Sequence, residues 1–516
     1  MFRATATRIF MLPEASRVLP DMIEAAILRG DAGIRIPLGR YYVRPEDGTH
    51  LRLEGVSDFT IYAAGVEMVC SETTRAILIE DCKNITIQGL TIDYDPLPYT
   101  QGTIVAISDD RKSHTIRIDE GYPPAESAIV FKHLIYTPAG ELRYGHYYRM
   151  EIEALPGNQL RISGLHPHKD GGEALGDKVI ISSETLVGRY NPHAIHLYNS
   201  LGSVLEDVTI FASPCFGFFE EHSSRTVFRR SVVNRREGRL HSLNADAFHS
   251  KFAEVGPRLE NCRAMWMGDD GINICGAYHI VLAAEGANLR VLAKRVMDIQ
   301  AGDPVELLDA DGSRLPPTEV LSILKAGQRT EADAANLEGL DLLPDVVDLL
   351  QQVYTIELDR PVEISAGGVV GSLNRMGNGF AIIDSEFGNI RSRGILVKAG
   401  NGLISGNKLV NCHLEGIKIS PEYLWLESGT SRNLRVKDNC IFYSKGNSLL
   451  IDNIGSATLH EAIQIVGNEI RSDNYPLIRI RGLDGGGLFE NKLQNAEGYP
   501  APDSAVEIRH SINVQR

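Results

Sequence analysis

The chain contains 516 residues, 43% of them hydrophobic and 23% charged, a balance typical of a globular protein with a large core and unlike that of a disordered or fibrous chain. Its formal net charge is -15 at pH 7, and no lysine- and arginine-rich run offsets it, so neither nucleic acid nor membrane is expected as a partner. A neutral substrate fits this charge better than a polyanion.

The cysteines are odd in number and show neither CxxC pairs nor histidines at metal-ligand spacing. We therefore predict that most of them are small buried side chains and not disulfides or metal ligands. They are Cys70, Cys82, Cys215, Cys262, Cys275, Cys412 and Cys440.

The first residues, "MFRATATRIFMLPEASRVL", lack the continuous apolar run of a signal peptide, and no later run is long enough to span a bilayer. The chain as given is thus expected to be cytoplasmic, or secreted or periplasmic if a leader has been removed. The stretch "LPDMIEAAILRG" that follows has the apolar spacing of an amphipathic helix. We expect this helix to cover one open end of a repetitive fold.

Short apolar alternations, separated by Gly and Asn turns, recur along the chain. The segments "DAFHS" from Asp246, "DGINI" from Asp270, "RGILV" from Arg393 and "EGIKI" from Glu415 share one pattern, and the spacing is 24 residues in the first pair and 22 in the second. A period in the low twenties predicts an all-β fold, a parallel β-solenoid in which each repeat forms one coil. Similar segments start at Ile77 and Ala194.

Two blocks interrupt the repeat, at residues 98–190 and 279–370, with longer alternating segments joined by charged turns. We interpret both as antiparallel, barrel-like β insertions, the second with a more helical or loop-like stretch at 325–352. The chain then divides into 1–97 (cap and first coils), 98–190 (first insertion), 191–278 (central coils), 279–370 (second insertion) and 371–516 (C-terminal coils).

The C-terminal coils repeat a turn asparagine followed by an apolar alternation. These asparagines are Asn407, Asn439, Asn468 and Asn491. Asparagine accepts left-handed turn geometry, and stacked asparagine side chains can hydrogen-bond from coil to coil. A ladder of this kind is therefore predicted.

Equivalent positions of neighbouring coils lie about 4.8 Å apart in such a solenoid. If Phe248 and Ile272 point inward, the residues after them point outward. The predicted outward column contains His196, His249, Asn273 and Lys418.

Three aspartates lie at the edge of this column. Asp246 and Asp270 should stack on each other, with Asp269 one residue further out at the bend. Stacked carboxylates repel one another and raise one another's pKa, a cost that points to function. Glycoside hydrolysis uses such a set, with one carboxylic acid as proton donor and another carboxylate to activate water. Inversion calls for carboxyl groups about 6.5–9.5 Å apart, which neighbouring coils offset around a bend could provide.

The motifs "NAD" at 244–246 and "GDD" at 268–270 resemble those of the inverting β-helix hydrolases, such as the polygalacturonases of glycoside hydrolase family 28. The Gly-His-Gly and Arg-Ile-Lys motifs of that family are missing. "NADAFHS" and "GDDGIN", with aspartate spacings of 23 and 24 residues, are more similar to glycoside hydrolase family 110, the exo-acting α-1,3-galactosidases. The segment "TIDYDPLPYTQG" before the first insertion also resembles that family.

The resemblance implies a right-handed parallel β-helix of the pectin-lyase-like type with two barrel-like modules. It implies an inverting exo-α-galactosidase with Asp269 as general acid and Asp246 and Asp270 sharing the activation of water. It implies no metal and no organic cofactor. The expected partner is a carbohydrate substrate, and a homodimer is left open.

Further polar residues on the coils around the aspartates are candidate substrate-binding residues. They are Asn244, His249, Asn273, Glu221, His222, Arg393, Lys398, Glu415, Lys418 and Trp425. Glu220 belongs with Glu221 in a motif that is either a sugar-binding site or a charged turn, and Trp266 is either a stacking surface or part of the core.

Three alternatives remain at this point. A polygalacturonase-like hydrolase would need basic residues to hold a uronate. A polysaccharide lyase or epimerase would use the acids to bind calcium and a lysine or arginine as base. A non-catalytic β-solenoid would bind glycans without cleaving them. Neither the sugar nor its linkage follows from the sequence.

Overall fold

The computed structural model describes residues 15–128, 132–147, 150–166, 172–182, 192–455 and 459–515. Two predicted segments lie partly outside the described residues. One is the N-terminal segment up to residue 14, which includes most of the region assessed as a leader, and the other is the first insertion, at residues 129–131, 148–149, 167–171 and 183–190.

One long parallel sheet forms the face of the β-helix that carries the aspartates. Its pairing runs from coil to coil. Its strands are Thr49–Glu54, Arg75–Glu80, Ile195–Tyr198, Phe218–Glu221, Phe248–Lys251, Ile272–Ala277, Ile395–Val397, Ile417–Ile419, Leu449–Ile451, Ile478–Arg481 and Val506–Arg509. The short strand Glu427–Ser428 pairs antiparallel with Ile272–Ala277.

A second parallel sheet forms the other walls of the coils as two adjoining runs. The first run contains Gly33–Arg35, Val204–Glu206, Val227–Arg229, Arg258–Glu260, Ala381–Ile383, Leu403–Ser405 and Arg435–Lys437. The second contains Gly39–Val43, Thr209–Ile210, Val232–Val233, Arg263–Met265, Glu386–Ile390, Lys408–Cys412, Cys440–Phe442, Glu469–Arg471 and Lys492–Gln494. The long strands Thr60–Cys70, Thr86–Tyr94, His460–Val466 and Leu483–Phe489 join these runs. The predicted parallel β-helix is confirmed.

The register reproduces the alignment of the sequence repeat. Phe248 pairs with Ile272, Ile272 with Ile395, and Ile395 with Ile417. All of these side chains are buried in the core of the coils, and the Phe248 ring stacks on that of Phe218 with centroids 4.8 Å apart. Because a one-residue slip would turn every inward side chain outward, this buried column fixes which residues face the site.

The asparagine ladder is also confirmed. The side-chain amide of Asn407 donates to Asn439 Oδ1, that of Asn439 to Asn468 Oδ1, and that of Asn468 to Asn491 Oδ1, each at 2.9 Å. Each of these oxygens also accepts a hydrogen bond, at 3.0 Å, from the backbone N–H of the asparagine before it in the ladder. The ladder thus pairs buried turn groups that would otherwise lack partners.

An N-terminal helix, Val18–Leu28, packs Leu19, Ile23 and Ala26 against the first coil. It is the amphipathic cap that the sequence predicts. The other helices are Glu331–Ala335 and Pro344–Leu349, with short 3₁₀ turns at Ala125–Ser127, Tyr423–Trp425 and Asp503–Ala505. In the described part of the chain, none of the helices has the length and apolar character needed to cross a bilayer.

The first insertion forms a seven-stranded antiparallel sheet. In order of pairing its strands are Leu142–Tyr147, Lys132–Tyr136, Lys178–Ser182, Tyr99–Ile107, Ser113–Ile118, Gln159–Ser163 and Glu151–Leu155. The sheet curls strongly. His114 and His133 lie on strands three steps apart in the sheet, yet Nδ1 of His114 is only 3.1 Å from Nε2 of His133. Among the described residues its two edge strands do not pair, so it differs from the second insertion in being open.

The second insertion is a closed six-stranded antiparallel barrel. In order of pairing its strands are His279–Glu285, Asn288–Lys294, Leu350–Leu358, Thr318–Gln328, Pro304–Leu308 and Val369–Ser372. The stretch predicted as helical or loop-like, 325–352, contains both remaining helices, but residues 325–328 continue one strand and residues 350–352 begin the next. All seven cysteines are free, and only Cys440 is not fully buried, which confirms the interpretation of them as small packed side chains.

We expect Asn439→Ala to lower the free energy of unfolding by about 2–4 kcal/mol, because it leaves buried partners on both neighbouring coils unpaired. Urea and thermal unfolding followed by circular dichroism measure the change. The control is Asn336→Ala, at an exposed asparagine with negative φ at a helix end, which should change stability by less than about 0.5 kcal/mol. Equal effects of the two substitutions would contradict the role of the ladder.

Candidate active site

The three aspartates occupy two consecutive turns that lead into the strands Phe248–Lys251 and Ile272–Ala277. The backbone N–H of Asp270 donates to Asp246 Oδ1 at 3.2 Å, so these two residues stack as predicted. Asp246 and Asp270 are buried, whereas the side chain of Asp269 is 24% exposed. One oxygen of each carboxyl group lies within 4.8 Å of the others, which is closer than the spacing expected from the sequence.

A lysine from the first insertion binds both turns. The Lys132 side chain is only 1% exposed, and its ammonium donates to the carbonyls of Asn244 at 2.6 Å and Gly268 at 3.2 Å and to Asp269 Oδ2 at 3.3 Å. Sequence reasoning missed it, because Lys132 is more than 110 positions away in the chain. Its only local signal is a charge inside the apolar run "FKHLIY".

Two arginines from the coil after the second insertion complete the set of cations. Arg391 Nη1 donates to Asp269 Oδ1 at 3.1 Å. Arg393 donates to Asp270 twice, through its backbone N–H at 2.9 Å and through Nη1 at 3.2 Å. Arg393 was a sequence candidate, and Arg391 was missed.

The charges around the three carboxyl groups separate their pKa values. Burial, followed by the charges of Asp270 and Asp269, raises the pKa of Asp246 well above its usual value. Burial opposes ionisation of Asp269 too, but Lys132 and Arg391 overcome it and lower its pKa to about 2. Burial raises the pKa of Asp270, and Arg393 offsets part of that rise. The surroundings thus favour Asp246 as the proton-bearing carboxyl group, whereas the family resemblance implies Asp269 as the general acid.

A histidine three residues after Asp246 orients that carboxyl group. His249 Nδ1 lies 2.8 Å from Asp246 Oδ2, and its Nε2 lies 3.8 Å from Cys275 Sγ. Burial lowers the pKa of His249 to about 3. A neutral imidazole therefore faces Asp246, and it can share the proton with that carboxyl group in a single hydrogen bond.

A buried ionic network continues from Asp270 along the sheet. Arg393 Nη2 donates to Glu422 Oε1 at 2.6 Å, and Lys418 Nζ donates to the same oxygen at 2.8 Å. Arg393 Nε also lies 3.8 Å from Glu415. Three sequence candidates, Arg393, Glu415 and Lys418, are thus brought together around Glu422, a residue that sequence analysis missed.

The inner part of this network is closed. Lys398 is fully buried, and its ammonium contacts Asn273 Oδ1 at 3.0 Å and Glu427 at 2.9 Å. Asn273 donates to Glu427 at 3.2 Å. Lys398 and Asn273, both predicted to bind substrate, thus use their polar atoms within the protein, and they position Glu427, the second acid that sequence analysis missed.

The predicted polar column is present, but apolar residues interrupt it. In register it reads His196, Phe219, His249, Asn273, Leu396 and Lys418. The His196 ring stacks on Phe219 at 4.8 Å and is buried. His196 therefore belongs to an aromatic stack and not to a solvated surface, because neighbouring elements cover this part of the sheet.

Glu221 and His222 lie apart from the aspartates. Glu221 contacts His196 at 3.5 Å, and His222 stacks on Phe252 at 4.6 Å. They follow the position aligned with Asp246 by five and six residues, about 16–20 Å along an extended strand. Glu220 points into the coil, where it accepts a hydrogen bond from Ser250, and burial raises its pKa to about 7. The motif thus makes its contacts away from the aspartates, and sugar binding by Glu221 and His222 stays a prediction.

Asn244 and the two tryptophans were also candidates. The Asn244 side chain is buried and donates to the carbonyl of Pro98 at 2.9 Å, which ties the start of the first insertion to the coil. Trp425 packs against the apolar side of the barrel, and its carbonyl accepts from Lys294. Trp266 lies under the guanidinium of Arg235, 3.6 Å from its ring centroid. All three residues thus have contacts within the protein.

Two groups of side chains have donor atoms close enough for a cation: the three aspartates, and His249 with Cys275 and Glu427. The first group already contacts Lys132, Arg391 and Arg393. In the second, Lys398 contacts Glu427 and burial raises the pKa of the Cys275 thiol to about 12. Resident positive charges and a protonated thiol make both groups poor sites for a divalent metal.

No family model matches the chain. Two curated proteins named alpha-1,3-galactosidase B are similar to it. The one from Bacteroides thetaiotaomicron is 23% identical over 481 residues, which cover 86% of this chain and 74% of that protein. The one from Akkermansia muciniphila is 22% identical over 488 residues, which cover 84% of this chain and 57% of that protein. The relationship predicted from "NADAFHS" and "GDDGIN" is confirmed by this similarity.

Solved structures are similar at a greater distance. The A-module of Azotobacter vinelandii mannuronan C-5 epimerase AlgE4 has a TM-score of 0.41 at 9% identity and covers 98% of this chain and 96% of its own. A Yersinia enterocolitica family 28 exopolygalacturonase has a TM-score of 0.39 at 10% identity, with 93% and 72% coverage.

We expect Asp246→Asn and Asp269→Asn to change stability in opposite directions near pH 7. The native state binds the Asp246 proton more tightly than the unfolded state, so stability falls as pH rises above about 3.9, the ordinary value. Asp246→Asn removes this loss and should raise the free energy of unfolding at pH 7 by about 1 kcal/mol or more. The ionised Asp269 stabilises the native state above the ordinary pKa, and this contribution is lost as pH falls through about 2. Asp269→Asn should therefore lower the free energy of unfolding at pH 7.

Urea unfolding between pH 4 and pH 8 measures both effects. The stabilisation by Asp246→Asn should shrink toward pH 4, and the exposed Asp109→Asn serves as the control. Destabilisation of the protein by Asp246→Asn at pH 7 would show that the buried carboxyl group does not hold the proton.

Proposed function

We propose that this protein is a glycoside hydrolase that removes a terminal α-linked galactose from a glycan, with inversion at the anomeric carbon. The observation that carries the proposal is the set of three close carboxyl groups whose surroundings move their pKa values apart, with that of Asp246 well above its usual value and that of Asp269 lowered to about 2. The similarity to proteins named alpha-1,3-galactosidase B supports galactose as the sugar and the α-1,3 linkage as the first linkage to test.

In the proposed reaction Asp246 gives its proton to the glycosidic oxygen as the bond from that oxygen to the anomeric carbon breaks. Water attacks the same carbon from the opposite face and loses a proton to Asp270 or Asp269. Asp246 leaves the step ionised, the accepting carboxylate leaves it protonated, and exchange with solvent restores both. The enzyme is unchanged, and the products are free galactose and the shortened glycan.

The ion pairs favour attack by water over attack by a carboxylate. Lys132 and Arg391 bind one oxygen each of Asp269, and Arg393 binds Asp270. A carboxylate stabilised in this way is a weaker nucleophile but still orients and polarises a water molecule. One oxygen of each carboxyl group lies within 4.8 Å of the others, and retaining enzymes also have closely spaced carboxyl groups, so the anomer of the product is the decisive readout.

Exo action is proposed because both insertions take part in the site. The first supplies Lys132, and the second supplies Lys294, which donates to the carbonyl of Trp425 beside the buried network. Insertions on both sides of a β-helix face favour a pocket for a chain end over a groove for a continuous polysaccharide.

The main test is to incubate the protein with a panel of p-nitrophenyl glycosides and α-1,3-galactosyl oligosaccharides and to follow the products by NMR. β-Galactose should appear first, and Asp246→Asn and Asp269→Asn should each lower kcat/KM by about 10²–10⁴-fold. α-Galactose as the first product would overturn inversion, and no turnover of any α-galactoside would overturn the function.

The same assay separates the remaining classes. A lyase would form an unsaturated product that absorbs ultraviolet light. A calcium-dependent enzyme would lose activity in the presence of a chelator. A non-catalytic solenoid would bind the oligosaccharide without releasing galactose from it.

The acidic limb of the pH profile should depend on the lysine from the first insertion. Lys132→Met removes a cation that lowers the pKa of Asp269, so Asp269 should take up its proton at a higher pH and the acidic limb of kcat/KM should move up by about one unit or more. Lys132→Arg should restore most of the original profile.

Lys178→Met is the matched control, since Lys178 lies on the neighbouring strand and pairs with Asp119 at a half-exposed site. Circular dichroism identifies variants that do not fold. An unchanged acidic limb in folded Lys132→Met would contradict Asp269 as the base and leave Asp270 in that role.

A further inference from the structure

Three stacked rings end at the histidine that contacts Asp246. The His249 ring lies nearly flat against the ring of Phe216, with centroids 4.5 Å apart and an angle of 18° between the planes. Phe216 lies flat in turn against His193, at 4.8 Å and 4°. Because His249 Nδ1 is 2.8 Å from Asp246 Oδ2, this three-ring stack reaches the carboxyl group proposed as the proton donor.

The register of the β-helix accounts for the stack. Phe218 pairs with Ile195 on the coil before it and with Phe248 on the coil after it. The residues two positions earlier on each coil are therefore equivalent, and they are His193, Phe216 and Asp246. Equivalent positions lie about 4.8 Å apart, which matches the separation of stacked rings. A half-buried phenylalanine thus occupies, one coil earlier, the position that Asp246 has in the site.

Further contacts fix the rings in place. The backbone N–H of Phe216 donates to His193 Nδ1 at 3.3 Å, which selects the neutral tautomer of His193 with its proton on Nε2. Phe219 packs against His249 at 71°, with centroids 5.4 Å apart, and against Phe216 at the same distance. The imidazole of His249 therefore has Phe216 against one face and Phe219 at a steep angle, and a rotation of its plane would bring it into one of these rings.

His249 lies between two carboxyl groups. Its Nε2 is 3.8 Å from Cys275 Sγ, and one of its nitrogens lies within 4.8 Å of an oxygen of Glu427. Burial outweighs the charge of Glu427 and lowers the pKa of His249 to about 3, so the imidazole is neutral. Nearby lysines add to this effect, and they are Lys251, Lys398 and Lys294. The orientation of the ring thus decides which carboxyl group the imidazole serves.

We propose that Phe216 and His193 are positioning residues, whose stacked rings hold the imidazole of His249 toward Asp246 and away from Glu427. The inference rests on the proposed glycosidase function, because it assigns the stack to the carboxyl group that gives its proton. Both residues act through His249, which keeps the Asp246 carboxyl group in one orientation. An aromatic side chain is suited to this task, since a flat ring restrains a neighbouring flat ring more closely than an aliphatic side chain does.

The first test observes the hydrogen bond itself and requires no substrate. The proton between His249 Nδ1 and Asp246 Oδ2 is buried, so it should give a slowly exchanging downfield resonance in the proton NMR spectrum of the intact protein, assigned by its loss in His249→Phe. Phe216→Leu, which keeps an apolar side chain without a flat ring, should broaden or remove this resonance, and Phe216→Tyr should keep it. No such resonance in the wild type, or an unchanged one in folded Phe216→Leu, would overturn the inference.

The second test is kinetic. Phe216→Leu should lower kcat for an α-galactoside at least about tenfold and change KM by less than about twofold, because the ring acts on the proton donor through His249. Phe216→Tyr should keep most of kcat. His193→Leu, one ring further away, should lower kcat at least about threefold, and it covers the case in which Phe216→Leu does not fold. A loss that appears in KM and not in kcat would overturn the positioning role.

The matched control is the same substitution at another half-buried phenylalanine. Phe442 lies on the strand Cys440–Phe442 of the second sheet. Phe442→Leu should leave the NMR resonance, kcat and KM unchanged. Equal effects of Phe442→Leu and Phe216→Leu would show a general loss of packing and overturn the inference.

The two tests together separate this inference from the proposed function. Turnover by the wild type, with the same kcat and the same resonance in Phe216→Leu, would overturn the inference alone. No turnover of any α-galactoside, with a resonance that Phe216→Leu loses and Phe216→Tyr keeps, would overturn the glycosidase function and leave the stack as the feature that holds His249 on Asp246.

Discussion

The candidate site depends on one buried ammonium group. Lys132 reaches from the first insertion into the β-helix and donates to the carbonyls of Asn244 and Gly268, one in each of the turns that carry the aspartates, and to Asp269. A buried cation without partners would cost several kcal/mol, so these turns and this lysine hold each other in place. The same ammonium group lowers the pKa of Asp269, whereas burial and the two neighbouring aspartates raise that of Asp246.

The division of charge has an energetic cost that packing alone would avoid. Asp246 is buried beside two other carboxyl groups. Cations lie beside Asp269 and Asp270, whereas a neutral imidazole, that of His249, lies beside Asp246. Carboxyl groups whose surroundings move their pKa values apart are the pattern that acid–base catalysis needs. The apolar column and the asparagine ladder provide the rigidity that holds this arrangement, because each coil is fixed by the next.

The fold could be predicted because the solenoid repeats a local rule. The alternation in "DAFHS" and "DGINI" and the turn asparagines each depend on near neighbours in sequence, and the same registers occur in the structure. The three aspartates were found for the same reason. Lys132, Arg391 and Glu422 were missed because they come from an insertion, a later coil and a loop, and their role depends on distances that periodicity does not contain. Glu220 was misplaced because a polar residue facing inward breaks the alternation that the prediction assumes.

The second barrel separates two coils that are adjacent in space. Asp270 and the residue that binds it, Arg393, are 123 positions apart in the chain, and the strand Ile272–Ala277 finds its next partner only after the whole barrel has been made. Closing so long a loop is slow compared with pairing successive coils. Because the first and last strands of the barrel pair with each other, the barrel returns the chain to the coil that it left, and the arginines reach the aspartates despite their long separation in sequence.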